Sequence, residues 1–320
     1  MLAIAFVSAS GGAGKTTLAI NTAASLVIKD NKKVLFVDLD PSAMATRVLL
    51  GRTYDDCNLK TLMKELVMFK KGYLRKEPTI SQCLHRHIIP GNNAVIHVLP
   101  GGNLDEISND IKNVSQWGLL LKELIDKLMD EINYSFDAII LDSPNWVYQF
   151  FEMTFPLAPL YVAITRPGIQ EVKKFIDFLE IVVNMLHNQN VFIPGSKDYE
   201  SLIAYVVNQY RSDLHGESIM NKWREVDEQV RRKYPNIRAL INDKPDYYYG
   251  TEKTKFVGFK HIDGMSLDLY TEDGPLCTRK ISGRNEGKND NRARPVKQFL
   301  AYYEALRQFI LEMSPVEVVH

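Results

Sequence analysis

The sequence predicts an α/β fold of three layers, a mostly parallel sheet with helices on both faces. Short apolar runs recur along the chain, helical stretches separate them, and several runs end in a glycine-rich or aspartate-bearing loop. A strand apolar at every position must be covered on both faces, which is the situation of a parallel sheet between helical layers. The runs are Leu2 to Val7, Lys33 to Val37, Ala94 to Leu99, Ala138 to Leu141, Leu160 to Ile164 and Leu202 to Val207. Apolar residues at helical spacing place helices at Thr17 to Ile28, Trp117 to Asn133 and Gln170 to Leu186. Ligands of such sheets bind at the carboxyl ends of the strands.

After Tyr210 the rhythm changes. A polar helical stretch from Glu217 to Tyr234 leads into an irregular region holding Tyr247, Tyr248 and Tyr249. We expect a helical or irregular insertion over residues 216–255, carried by a single domain of residues 1–320. Residues Arg279 to Lys297 are rich in Arg, Lys, Asn and Gly and read as a mobile basic loop. A helix from about Pro295 to Met313 follows it.

Composition narrows the function classes. The 320 residues carry 39 Lys plus Arg against 39 Asp plus Glu, so the chain as a whole is neither a basic nucleic-acid coat nor an acidic tail protein. Any DNA or membrane contact must come from a local patch. Cys57, Cys83 and Cys277 are odd in number and scattered, which does not suggest a disulfide framework and fits a reducing, cytoplasmic setting. The apolar start lacks a basic flank and runs straight into a glycine loop, so it reads as a buried strand and not as a signal peptide. No run reaches the roughly 18 to 20 apolar residues that span a bilayer.

The glycine loop is Ser10-Gly11-Gly12-Ala13-Gly14-Lys15-Thr16-Thr17, between the first strand and a helix. That is the context of a P-loop. Glycines let the backbone turn tightly and aim N–H groups at phosphate oxygens, and the helix N-terminus adds partial positive charge. Lys15 suits the β and γ phosphates of a nucleotide, and the Thr16 hydroxyl suits a Mg2+ ion held with them. Asp142 ends an apolar strand, where a carboxylate is costly unless it faces a cation or a solvent-filled cleft. Asp38 and Asp40 alternate about a strand end and point to opposite faces if the strand continues through them. A helix-capping role for Asp38 or Asp40 stays open.

The usual G-x-x-x-x-G-K-S/T spacing begins with a glycine, and here Ala9 stands in that place. Gly-Gly-x-Gly-Lys-Thr-Thr after the first strand, Val37-Asp38-Leu39-Asp40-Pro41 after the second, and Phe136 to Pro144 together resemble the ParA/MinD family of deviant Walker-box ATPases. The resemblance covers roughly residues 1–215. It implies a P-loop NTPase fold, ATP and Mg2+ as cofactors, slow ATP hydrolysis, and a homodimer with ATP at its interface. It also implies that Gly11, Gly12, Ala13, Gly14, Lys15, Thr16 and Thr17 bind the nucleotide. Asp38 would support the Mg2+ shell with Thr16 and Asp142, and Asp40 would place the attacking water, so that Lys15, Asp38 and Asp40 carry the catalysis. Asn208 falls where the family often reads the adenine base, although a turn-forming Asn fits equally.

The family usually carries a second lysine just before Gly-Gly, where this chain has Ser10. A hydroxyl cannot supply that charge, so another cation substitutes, hydrolysis proceeds differently, or the dimer is weaker. Serine at this place is shared with the branch that spaces carboxysomes along the nucleoid, the maintenance of carboxysome distribution ATPases. A plasmid or chromosome partition protein is the other branch that fits. Both imply non-specific DNA binding by the ATP-bound form, nucleoid association, and a cargo-linked adaptor that stimulates hydrolysis.

The local feature suited to DNA is Arg279, Lys280, Arg284, Lys288, Arg292, Arg294 and Lys297, opposed only by Glu286 and Asp290. A solvated loop that touches nothing is the plain alternative. A MinD-like membrane anchor needs basic and large apolar residues on opposite helix faces, whereas Leu311 to His320 is short, acidic and interrupted by Pro315. A kinase-type enzyme of the same fold carries its tyrosines in a terminal tail, while Tyr247 to Tyr249, Tyr302 and Tyr303 are internal. Cys83, His85 and His87 lack the second cluster a zinc site needs. Asp55 and Asp56 read as a polar loop.

Overall fold

The computed structural model describes residues 1–144, 150–157, 160–166, 169–188, 202–210, 228–240, 258–260, 274–278 and 293–313. The chain forms two compact units, Met1–Phe6 with Leu18–Pro159 and Val7–Thr17 with Leu160–His320.

In the first unit the strands are β1 (Leu2–Ser8, whose last two residues belong to the second unit), β2 (Val34–Asp38), β3 (His85–Ile88), β4 (Val95–Leu99) and β5 (Ala138–Asp142). They lie in the order β3-β4-β2-β5-β1. β2 is parallel to both β4 and β5, β1 is parallel to β5, and only β3 runs antiparallel, against β4. Every residue of β2 and β5 is buried, so both faces of the sheet are covered, as uniformly apolar runs require. The helices are α1 (Lys15–Asp30, whose first three residues belong to the second unit), α2 (Met44–Leu50), α3 (Leu59–Lys70), α4 (Ser108–Lys112) and α5 (Leu120–Ile132).

Helix α3 was not among the sequence expectations, although its signals are local. Asn58 caps it, its side chain accepting from the Thr61 N–H while the Thr61 hydroxyl accepts from the Asn58 N–H. Leu59, Leu62, Met63, Leu66 and Val67 recur at helical spacing and form its buried face. Helix α5 likewise buries Leu120, Leu121, Leu124, Ile125 and Leu128, and Asn133 at φ 47° ends it in the left-handed conformation. From its last turn, the Glu131 carboxylate accepts the backbone N–H groups of Ile80 and Ser81 at 3.0 and 2.8 Å. Those contacts fix the short 3-10 turn Ser81–Cys83 that leads into β3.

The cysteine expectation is corrected here. Cys57, just ahead of the α3 cap, forms a disulfide with Cys83 in that 3-10 turn, with Cα atoms 5.1 Å apart. The two are 26 residues apart in sequence, and only the return of the chain along α3 brings them together. Cys277 takes no part in this disulfide.

The outer strands β3 and β4 carry three histidines. Burial lowers the pKa of His85, His87 and His97 below the ordinary 6.5, with Arg52 adding to the effect at His85 and Arg86 at His97. His87 Nδ1–H donates to the Leu49 carbonyl at 2.6 Å, and His97 packs against Tyr134 and Phe136.

In the second unit β6 (Leu160–Thr165), β7 (Ile203–Tyr210) and β8 (Arg238–Ala239) are parallel neighbours, and β9 (Gly258–Lys260) also pairs with β7. All of β6 is buried. Two long helices belong to it, α6 (Ile169–Asn188) and α7 (Ala293–Met313), with a short helical stretch at residues 228–233. Helix α7 buries Phe299, Tyr302, Tyr303, Leu306 and Phe309, so its tyrosines are packing residues. Of the expected insertion over 216–255, residues 216–227 and 241–255 lie outside the described residues, and 228–240 hold the short helical stretch and β8. The expected basic loop is corrected at its end, because α7 starts at Ala293 and takes Arg294 and Lys297 into a helix. Among the described residues no helix is long and apolar enough to cross a membrane.

A histidine whose pKa is lowered by folding contributes stability that is full above its unfolded value of 6.5 and is lost as the pH falls through the folded value. These histidines are therefore expected to lower the thermal unfolding midpoint between about pH 7.5 and about pH 5.5, offset in part by Asp38, whose pKa is raised to about 6 and which adds stability as the pH falls through that value. His87→Gln, which keeps a donor near the Leu49 carbonyl and cannot titrate, should shrink that drop. Calorimetry across this range checks both expectations.

Candidate nucleotide site

In the second unit, β1 delivers the chain into the glycine loop. Ser8 is fully buried, and its hydroxyl donates to the Ser10 carbonyl at 2.7 Å, starting a tight turn. Gly12 and Gly14 follow at φ 69° and 94°, values that L side chains rarely adopt. A Cβ on Gly14 would stand 2.1 Å from Asn208 Nδ2, so nothing larger than glycine fits. That amide nitrogen donates to the Ala13 carbonyl at 2.7 Å, pinning the loop to β7 across 195 residues of sequence. Asn208 therefore lies inside a strand, and the turn-forming alternative is corrected.

Lys15, Thr16 and Thr17 form the first turn of α1, where backbone N–H groups point along the helix axis toward the loop. Lys15 is buried, Thr16 and Thr17 are half-buried, Ala13 is buried, and Gly11 and Gly12 are exposed. Two left-handed glycines, a buried lysine and a helix N-terminus form a cradle that fits the phosphates of a nucleotide.

The first unit holds the carboxylates. Asp38 ends β2 and Asp142 ends β5, directly opposite each other in parallel register, and both are fully buried. Asp38 Oδ2 accepts from the Thr46 N–H at 2.8 Å and the Thr46 hydroxyl at 2.7 Å, while Oδ1 accepts from the Asp40 N–H at 3.2 Å. Thr46 Oγ1 in turn accepts from the Gly101 N–H at 2.8 Å. A Cβ on Gly101 would come within 2.9 Å of Asp38 Cγ. The end of β2, helix α2 and the loop after β4 thus meet on one carboxylate. Burial raises the Asp38 pKa from 3.8 to about 6, with the nearby Asp40 adding to it, even though the Thr46 and Asp40 hydrogen bonds pull the other way. Thr46 and Gly101 had not been singled out. The Gly101-Gly102 pair, one residue beyond a strand, is the signal that marks a close backbone approach.

Asp40 lies beyond the strand, so the alternation with Asp38 does not apply. Its Oδ1 accepts from the Ser42 N–H at 2.9 Å and the Ser42 hydroxyl at 2.7 Å. This is a turn of the Asx type that leads through Ala43, at φ 49°, into α2. In the first unit Asp38 and Asp142 offer only oxygen donors, which suit a hard cation such as Mg2+ that takes one or two carboxylates together with phosphate and water, and in the second unit the Thr16 side chain is likewise an oxygen donor. Among the described residues no group of three His, Cys, Asp or Glu side chains is placed to hold a metal ion by itself, and Cys83 is committed to its disulfide. Of the residues expected to meet DNA, Arg294 and Lys297 lie in α7, while Arg279, Lys280, Arg284, Lys288 and Arg292 lie outside the described residues.

Thr46→Val removes one donor to a fully buried carboxylate and leaves the Gly101 N–H without its acceptor. Urea denaturation should show a loss of about 2 kcal/mol, and Thr46→Ser, which keeps the hydroxyl, should recover most of it.

The chain is similar to known proteins. A profile of the AAA domain family, AAA_31, matches residues 1–189. The virulence plasmid ParA family protein pGP5-D of Chlamydia psittaci is 26% identical over 254 residues, which is 75% of this chain and 90% of that protein. The ATP complex of a Cyanothece McdA variant is similar in fold, with a TM-score of 0.62 at 18% identity over 96% of each chain. The structure of pNOB8 ParA bound to nonspecific DNA has a TM-score of 0.57 at 15% identity, over 97% of this chain and 99% of that one. With more than half of its length matched by the family profile, and with the glycine loop and strand-end aspartates in place, this chain belongs to the AAA domain family as a P-loop protein of the ParA/MinD type.

Proposed function

We propose that this chain is a Mg-ATP-dependent ATPase of the ParA type, whose ATP-bound homodimer binds nucleoid DNA without sequence preference and positions or segregates a cargo. The observation that carries the reading is the glycine loop held by Asn208 with Lys15 buried at the head of α1. Lys15 would pair with the β and γ phosphates, and the backbone from Gly11 to Thr17 would cradle them. Thr16, Asp38 and Asp142 would hold Mg2+, and Asn208 would remain near the base. A bound Mg2+ would offset phosphate charge as the terminal phosphoryl group leaves. Asp40, on the turn after β2, would orient the attacking water. Hydrolysis would serve as a timer, with a cargo-linked adaptor accelerating it and releasing DNA.

The similarity to a plasmid ParA family protein and to the fold of McdA supports both cargo classes named from the sequence, plasmid or chromosome partition and carboxysome positioning. DNA is favoured over a membrane because α7, the last helix among the described residues, already buries its aromatic face. A kinase with Tyr302 or Tyr303 as acceptor is disfavoured on the same ground.

Lys15→Ala should abolish ATP binding in equilibrium titration, and Asp40→Ala should bind ATP normally with turnover lost. Turnover retained by either variant removes the corresponding role. Retention on non-specific duplex DNA should require ATP over ADP and weaken steeply with salt. It should be lost in the Arg284, Arg292 and Arg294 triple alanine variant. ATPase activity with no DNA retention in any nucleotide state would refute the DNA reading.

A further inference from the structure

The nucleotide loop carries one lysine, Lys15, and its Ser10 hydroxyl oxygen is buried and cannot present charge to a ligand. A second cation stands beside the loop within the same unit. β6 and β7 are parallel with Thr165 opposite Val207, so the next residues along the chain, Arg166 and Asn208, emerge side by side at the carboxyl end of the sheet. Each reaches a glycine of the loop. Asn208 fills the space over Gly14, and Arg166 Nη1 lies 3.8 Å from where a Cβ on Gly12 would stand.

Arg166 is held but not neutralised. Its Nη2 lies 3.8 Å from Glu171 Oε1, at the outer edge of an ion pair, and that same oxygen is 3.7 Å from Lys174 Nζ. Its Nε is buried and has no hydrogen-bond partner among the described residues. A guanidinium has five donors in a fixed fork, and a buried donor without a partner is costly. The side chain is still 37% exposed, so an anion on the loop can reach it. A planar cation with spare donors next to a phosphate cradle has the chemistry of a phosphate ligand.

We propose that Arg166 is a second phosphate-binding residue of the nucleotide site, supplying from the end of β6 the positive charge absent at Ser10, with Glu171 positioning its guanidinium. The proposal rests on the ATPase reading above. Adding one phosphate raises the charge of the ligand, so losing this cation weakens ATP more than ADP.

Binding of fluorescent ATP and ADP analogues to the full chain with Mg2+ tests it, with the thermal midpoint of each variant measured alongside. Arg166→Ala should weaken ATP by roughly tenfold or more and ADP by about threefold or less, at an unchanged midpoint. Arg166→Lys should keep the preference for ATP because it keeps the charge. Glu171→Gln should weaken ATP by about threefold by loosening the guanidinium. Wild-type affinity for both nucleotides in Arg166→Ala overturns the proposal, as does an equal loss for both. Should the alanine variant not fold, the lysine variant decides, since loss of its ATP preference overturns the proposal too. Lys15→Ala separates the two readings. If the wild type binds no nucleotide the ATPase reading fails, whereas if Lys15→Ala loses binding and Arg166→Ala does not, only the role of Arg166 fails.

Discussion

A parallel sheet covered on both faces leaves one place for polar chemistry, the ends of its strands, and this constraint organises the protein. In β2, β5 and β6 every residue is buried, so no side chain along them can carry a charge without cost. The polar residues begin where the apolar runs stop. Asp38 and Asp142 end neighbouring strands in the first unit, while in the second Arg166 follows the last residue of β6 and Asn208 lies near the end of β7. The strand ends thus carry acids in the first unit, and in the second they carry donors beside the glycine loop.

The acids show what such a position costs. Asp38 is fully buried, and burial outweighs three hydrogen bonds in setting its pKa. A carboxylate in that condition is stabilised by any cation brought to it. Thr46 keeps the group oriented meanwhile, and Gly101 allows the loop after β4 to approach closely. In the second unit, the left-handed Gly14 and the amide of Asn208 occupy each other's only available space, which makes the loop conformation a property of β7 as much as of the glycines.

Away from the site, the sheet margin is managed differently. β3 is short and antiparallel, and its histidines are partly buried against Tyr54 and the Leu49 carbonyl. The Cys57–Cys83 disulfide and the Glu131 contacts hold the turn that leads into it. These features tie stability at one edge to pH and to thiol chemistry, separately from the nucleotide cradle.

The sequence by itself determined whatever depends on neighbours a few residues apart. Uniform apolar runs located β1, β2, β4, β5, β6 and β7, with most ends within one or two residues, because burial on both faces is written into each segment. The glycine loop was legible because tight turns and phosphate cradles restrict residue type locally, and α3 was written just as plainly in its Asn58 cap and apolar spacing. Only the tertiary structure decided the pairings between distant segments: Asn208 with Ala13, Arg166 with Gly12, Thr46 and Gly101 with Asp38, and Cys57 with Cys83. No periodicity encodes these contacts. Each exists because packing the sheet closes a long loop at small entropic cost per added residue, and so brings together groups whose spacing along the chain carries no signal.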